Sequence, residues 1–456
     1  MTIEEILAMP EVERKIYYLK KGRKTEQPNA HALYNDWNPN KHEIVIDEEK
    51  YPKIKITTQP EKRITDPTTG KEYIEPAVRK EVEPNRISLP LEQDIVNIQT
   101  AFTVGTEPVL DCQPDQSEEN LLSTLKQVFK KNKLKYQNKK VVRAWLAEQE
   151  VAEYWYVVKD DGFWAKLKRK ISGIFGKSKP EYRLKSAIWS PFRGDKLYPF
   201  FNDQGDLVAL SREYKKKDLN DVEITCFMTI TKDMVYQWEL TSSWSDKGSF
   251  AHGFKKMPVI YMYRPEAYCE KIKSLRVRLE KLLSNYADCI DYHFFPILML
   301  FGNVENFSGE FKNRVVELTG QGANAQYLTW SQVPDTVKFE VETLLSQIYG
   351  LTNTPRISFD SLKGTGNAVS GVTFDYVFMS THLNVENLNE TVGEFMQRRV
   401  NFLVSALGSV NSTLEEASET IDVDVQMQPY KLEDIKDKID TAIKAKAVSY
   451  THLRAH

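Results

Sequence analysis

The stretch "SLKGTGNAVSG", Ser361–Gly371, holds three glycines in eight residues and lies between two segments of helical periodicity. Its reading decides the fold. A phosphate-cradling P-loop needs G-x-x-x-x-G-K-[ST] between a strand and a helix, so that backbone amides and a lysine meet the phosphates. Here Lys363 precedes the glycines, and a helical pattern precedes the loop. A dinucleotide fingerprint needs G-x-G-x-x-G after a strand. Gly364, Gly366 and Gly371 have a different spacing and context. No acid/base pair or nucleophile accompanies them. What remains is a loop with wide backbone freedom and one positive charge, joining a short helix to a very long one.

The flanks of the loop carry that helical signal. After Pro265, the segment "EAYCEKIKSLRVRLEKLLSNYADCIDYHFF" has Ile272, Leu275, Leu279, Leu282, Tyr286 and Ile290 at three/four spacing. A helix of about 28 residues, roughly 42 Å, is expected there, broken near Pro296. Lys271, Lys273, Arg276, Arg278 and Lys281 fall on its other faces. "RVVELTGQGANAQYLTW" reads as two short strands around a glycine turn. "DTVKFEVETLLSQIYG" reads as a compact helix with Asp335 as its cap and Gly350 at its end. After the loop, a helical pattern runs to Leu407, with a late seam of Leu388, Val392, Phe395, Val400, Leu403 and Leu407.

The N-terminal half reads differently. "HEIVID" and "KIKITT" alternate apolar and polar residues and predict short strands. Residues 85–108 predict a helix ending near Gly105. A further helix is expected after Ser117. It runs into seven lysines between Lys126 and Lys140, interleaved by Phe129 and Tyr136. That run can be a nucleic-acid patch or a solvated helix face. The solvated face takes precedence, because aromatics at this spacing usually face a core. Residues 184–262 read as a β-rich meander, with "FFNDQGDLVALSREY" a hairpin closed at Asn202–Gly205. Between the two regions, residues 161–180 have the pattern of a basic amphipathic helix, with Trp164 and Phe175 on the apolar side. Packing on its own domain is the first expectation, docking of a partner the second, and a membrane surface the third.

Composition narrows the function. Sixty-two basic and 64 acidic residues give a formal charge of -2, unlike a protein that grips DNA by charge alone. Cys112, Cys226, Cys269 and Cys289 form no C-x-x-C pair, and the seven histidines have no H-E-x-x-H. No metal, cofactor or small-molecule substrate is expected, and an enzyme is not. No run of some 18 apolar residues suggests a membrane span. The N-terminal "MTIEEILAMPEVERK" lacks the apolar centre of a signal peptide, so residence in a cytosol is expected.

The order of elements is long helix, small strand-containing insert, second helix, "TNTP", a loop ending in Ser370-Gly371, and a long helix. This order resembles the portal proteins of tailed bacteriophages. "NRISLPLEQDIV", "LSNYADCIDYHFFPILMLFG" and "VSGVTFDY" are similar to that family, and the resemblance covers about residues 85–407. It implies an α+β portal-type fold. The implied parts are an N-terminal arm (1–84), a mixed α/β wing (85–264, with the insertion 161–180) and a first stem helix (265–300). A small α/β clip (301–334), a second stem helix (335–350), a tunnel loop (351–371) and a tunnel helix (372–407) follow. Residues 408–447 would begin a crown. "AVSYTHLRAH" breaks the preceding pattern, so residues 448–456 are expected to be a non-native tail and the crown to be cut short.

The resemblance also implies a role. Portal proteins form rings, usually dodecamers, at one capsid vertex, where DNA enters during packaging and leaves during ejection. Implied partners are other copies of the chain, double-stranded DNA, the terminase large subunit, a head–tail adaptor, and the capsid and scaffolding proteins. The implied location is the virion, with host cytoplasm during assembly. Lys363, Gly364, Gly366, Asn367, Ser370 and Gly371 would face DNA in the tunnel loop, and the five basic residues of the first stem helix would line the stem. The alternative readings are a peripheral membrane protein and another virion connector.

Overall fold

The computed structural model describes residues 1–59, 61–65, 67, 70, 72–159, 182–293, 297–307, 316–328, 334–356, 378–428 and 430. Elements in chain order begin with helices α1 (Ile3–Leu7), α2 (Val12–Lys21), α3 (Ala30–Trp37) and α4 (Glu43–Ile46). Strands β1 (Ile54–Gln59), β2 (Lys62–Thr65), β3 (Glu72–Glu75) and β4 (Val78–Val82) follow. Next come α5 (Leu91–Val104), β5 (Val109–Asp111), α6 (Glu119–Asn132) and α7 (Leu134–Glu148). The β-rich stretch holds β6 (Glu150–Lys159), β7 (Tyr182–Trp189), β8 (Lys196–Phe201), β9 (Leu207–Lys217), β10 (Glu223–Thr231), β11 (Met234–Leu240), β12 (Trp244–Ala251) and β13 (Val259–Tyr263). Then come α8 (Lys273–His293), β14 (Ile297–Phe307), β15 (Val316–Leu328), α9 (Pro334–Leu351) and α10 (Met379–Val410). The last described elements are α11 (Glu415–Thr420) and β16 (Asp424–Gln426). The fold class is α+β, with antiparallel sheets.

Backbone contacts divide the chain into two units. The first comprises residues 1–37, 92–270 and 352 onward; the second comprises 38–91 and 271–351. Residues 1–84 are thus shared between them.

In the first unit, a five-stranded sheet has the order β12-β11-β10-β9-β8 and a three-stranded sheet the order β13-β6-β7. The central β10 is buried from Cys226 to Ile230 because both of its faces are covered there. Met228 and Ile230 join Ala152, Trp189, Val259 and Tyr261 of the three-stranded sheet. Phe227 packs with Ile3, Ile6, Ile16 and Leu19 from α1 and α2. Thr2 starts α1 with a capping box, its side chain accepting from the Glu5 amide and the Glu5 carboxylate accepting from the Thr2 amide.

Strand β6 carries a buried acid toward each face. Glu150 accepts from Arg23 at 2.7 Å and from the Tyr261 hydroxyl at 2.8 Å. Glu153 accepts from Arg399 of α10 at 2.6 Å, and Arg399 also donates to Asn138 at 2.5 Å. Residues three apart on a strand point to opposite sides, so β6 is tied to a different cation on each side. The predicted late seam of α10 is buried throughout, and Phe402 meets Phe254 edge-on at 5.2 Å. At its end the chain turns back through α11, and β16 pairs with β5.

In the second unit, α8 buries Arg276, Leu279, Glu280 and Ser284, and Ile272, just before the helix, is buried with them. The segment before α5 lies along it. Glu280 accepts from the Leu89 amide at 2.9 Å and contacts His42 Nδ1 at 2.6 Å, and Ser284 accepts from the Ile87 amide. Asn85 donates to Asp288 and Asp291. Strands β1 and β4 pair, as do β2 with β3 and β14 with β15.

Three expectations are corrected. "HEIVID" is not a strand; its centre is the short helix α4, with Ile44 buried. Arg86 fixes this turn by donating to the carbonyls of Ile44, Val45 and Tyr51, a long-range contact that overrides the alternating pattern. The helix after Pro265 is shorter than expected. It runs 21 residues, about 32 Å, from Lys273 to His293. The residues before it are held by Tyr268, whose amide donates to the Leu146 carbonyl. Finally, the glycines of "TGQGA" do not make a turn. β15 is one strand, and its register with β14 shifts between Thr319 and Asn324, with Gly322 at φ 89°. The extra residues form a bulge, which glycine accommodates.

Candidate functional site

The loop Ser361–Gly371, with Lys363, Gly364, Gly366, Asn367, Ser370 and Gly371, lies outside the described residues, as does the insertion 161–180. Both roots of the loop are described, and they meet in one buried hydrogen-bonded clamp.

Helix α9 ends at Leu351, and the chain passes through Thr352, Asn353 and Thr354. Asn353 has φ 48°, a left-handed conformation that Asn tolerates. Such a turn exposes carbonyls that no helix satisfies. Gln99 of α5, 0% exposed, supplies donors. Its Nε2 lies 3.1 Å from the Thr352 and Asn353 carbonyls and 3.0 Å from Thr354 Oγ1. Tyr268 donates its hydroxyl to the Thr352 carbonyl at 2.6 Å. Burial pushes the Tyr268 phenol well above its usual range, so it remains a donor at any physiological pH.

The far root closes onto the same groups. Thr381, in the first turn of α10, donates to the Asn353 carbonyl at 2.8 Å. Asn384, one turn on, donates to Gln99 Oε1 and to the Tyr268 oxygen, both at 2.9 Å. Phe378, the last residue before α10, packs edge-on against Phe102 at 5.4 Å, with Val385 beside them. The turn Thr352–Thr354 and the first turn of α10 are therefore joined at a single polar knot.

The clamp was not predicted. Gln99 gives a faint signal: it is a polar residue between Ile95 and Phe102 on the buried face of α5. Thr352, Thr354, Thr381, Asn384 and Tyr268 read in the sequence as ordinary loop or helix-surface residues.

The five basic residues assigned to the first stem helix are distributed unevenly. Lys271, in the short 3-10 turn before α8, is exposed, as are Arg278 and Lys281 of α8, and Lys273 is half-buried. Arg278 forks onto Glu340 of α9 at 2.6–2.8 Å. Arg276 corrects its expected surface position: it is 2% exposed and lies 3.5 Å from Glu280 one turn on. It belongs to the packed face of the helix and is not available to a ligand.

The lysine run occupies the α6–α7 hairpin. Phe129 is half-buried, but Tyr136 is 61% exposed. The expectation that both aromatics face a core is thus corrected for Tyr136. Among the described residues no three His, Cys, Asp or Glu side chains gather as a metal site, and no helix is long and apolar enough to cross a membrane.

Comparison with known proteins adds a family. The model described as "Phage portal protein, SPP1 Gp6-like" matches residues 40–454. No curated protein matches the sequence. A solved chain from the virion of a native gene transfer agent particle is similar at 10% identity, over 80% of this chain and 86% of that one, with a TM-score of 0.38. The family match spans most of the sequence and both units: the chain belongs to the SPP1 Gp6-like family of phage portal proteins.

Proposed function

We propose that this portal protein acts as one subunit of a ring, a dodecamer by family habit, that encloses a DNA channel at one capsid vertex. The ring serves genome packaging, head–tail joining and ejection. In this reading the first unit supplies the wing, α8 and α9 the stem helices, β14 and β15 the clip, and α10 the tunnel helix. The loop rooted on Gln99, Tyr268, Thr381 and Asn384 is the tunnel loop. Terminase, a head–tail adaptor, and capsid and scaffolding proteins are its partners. The family match over residues 40–454 carries the reading.

The clamp supports a mechanical role for the loop. A DNA-touching loop must move without loosening the subunit. Fixed roots with a glycine-bearing middle meet both needs. Symmetry repeats Lys363 around the channel as a ring of charges. Exposed unit charges 4 Å apart interact by only about 1 kcal/mol in water, so such contacts guide DNA without holding it. Asn367 is proposed as a second, uncharged DNA contact of the same loop. Negative-stain electron microscopy with light scattering tests the ring. Rings with a central channel are expected, and a chain that stays monomeric at every concentration and with scaffolding protein present would overturn it. Lys363→Ala should slow packaging; unchanged packaging would remove the lysine's role.

A further inference from the structure

The lysine run of α6 and α7 is left over by the portal reading. From Asn120 to Ala147 the sequence holds eight basic residues and no acid. The remaining residues carry 54 basic and 64 acidic side chains. The chain's near-neutral total therefore conceals a concentrated positive segment here, besides the basic insertion 161–180. Lys126, Lys130, Lys131, Lys133, Lys135 and Lys140 are all exposed. None has an acidic partner among the described residues, unlike Lys196, Lys215, Lys216 and Lys255 of the same unit.

The fold gains little net stability from these charges. Lys130 and Lys131 lie in the last turn of α6, where cations favour the helix dipole. Lys133 and Lys135 lie at the start of α7, where cations oppose it. Lys126 with Lys130, and Lys135 with Lys139, are like charges at i,i+4 and repel. Meanwhile the hairpin is fixed in place. Asn132 donates to the Leu184 carbonyl at 3.0 Å and Gln137 to Ser186 Oγ at 2.5 Å, both on β7. Lys133, at the joint, is held in a left-handed conformation with φ 54°. The charges are thus displayed on a rigid scaffold, with the exposed ring of Tyr136 among them.

We propose that the α6–α7 hairpin is a second DNA contact, on the wing and apart from the channel loop, that binds the phosphate backbone without reading sequence. Duplex DNA presents about one negative charge per 1.7 Å of axis, a smooth field that flexible lysines match as point charges. Protein interfaces, by contrast, are poor in lysine and need apolar anchors, and Tyr136 is the only large exposed apolar side chain between Lys126 and Lys140. The choice of DNA among polyanions rests on the portal reading; the positive surface itself does not.

The test uses the full chain, a fluorescent 30-bp duplex and anisotropy titrations across a KCl series. The variant carries Lys130→Glu, Lys131→Glu and Lys133→Glu; a second replaces the same three by Gln, and circular dichroism verifies that both fold. Each lost phosphate contact lowers the log–log salt slope by about 0.9. A slope reduced by about 2 to 3 and an affinity at least about 10-fold weaker are expected for the Glu variant. The Gln variant should show a similar slope with a smaller loss. Unchanged affinity and slope would overturn the proposal, even where microscopy shows rings. Wild-type binding to a poly-glutamate peptide as tight as to DNA of equal charge would overturn the choice of DNA. The absence of rings, with the DNA effect intact, would count against the portal reading alone.

Discussion

Replacing Gln99 by Leu should loosen the roots of the loop by a calculable amount. Gln99 is fully buried, and its amide nitrogen faces three acceptors at 3.0–3.1 Å. If each lost partner were orphaned, the cost would approach three buried desolvation penalties of about 1–3 kcal/mol each. The clamp is redundant, however. The Thr352 carbonyl keeps donors from Tyr268 and Thr354. The Asn353 carbonyl keeps Thr381, and Asn384 keeps the Tyr268 oxygen. No group is left wholly unpaired, so the expected loss is about 2–3 kcal/mol. Tyr268→Phe removes one donor from Thr352 and one acceptor from Asn384, and about 1–1.5 kcal/mol is expected. The double variant should lose more than the sum, because each single change leaves the other to cover the same carbonyl. Urea unfolding measures the global values, and hydrogen exchange at the first turn of α10 measures local opening. A Gln99→Leu variant within 0.5 kcal/mol of the parent, with unchanged exchange at Thr381 and Asn384, would refute the reasoning.

Other sites give sharper signs. Arg399→Met strands Glu153 at 0% exposure and should cost about 3–5 kcal/mol, while adding Glu153→Leu should recover most of it; a chemical-denaturation cycle checks both. Burial raises the Glu148 carboxyl from 4.5 to about 7, despite the Phe192 amide that donates to it. The folded state therefore binds this proton more tightly than the unfolded chain, and stability falls as pH rises from about 4.5 to 7. Glu148→Gln keeps the acceptor for Phe192 and should gain up to about 3 kcal/mol at pH 8 but little at pH 4, as thermal melts at the two pH values would show. Two glycines of α10 should respond with opposite signs. A Cβ at Gly408 would stand 2.1 Å from Ser418 Oγ, whereas one at Gly393 meets only Met427 at 3.6 Å. Gly408→Ala should therefore destabilise by about 1–3 kcal/mol and Gly393→Ala stabilise by about 1 kcal/mol, read from unfolding midpoints.

What the sequence disclosed followed period, and what it withheld depended on distant contacts. The seam of α10 was legible because Leu388 through Leu407 repeat at helical spacing along one element. The Asn202–Gly205 hairpin was legible because its turn chemistry is local: Asn202 accepts from the amides of Gln204 and Asp206. "HEIVID" failed because Arg86, some forty residues away, decides its conformation. Arg276 failed because helical spacing permits a charge on the packed face when a carboxylate such as Glu280 lies one turn on. The clamp was invisible for the same reason at larger scale. Gln99, Tyr268 and Asn384 are scattered over nearly three hundred positions, and each alone is an unremarkable polar residue. Their shared property is an unmet hydrogen-bonding need on one turn, which exists only once α5 and α10 have packed. The glycines of the loop could therefore be read as freedom, while the groups that confine that freedom to the loop could be found only in three dimensions.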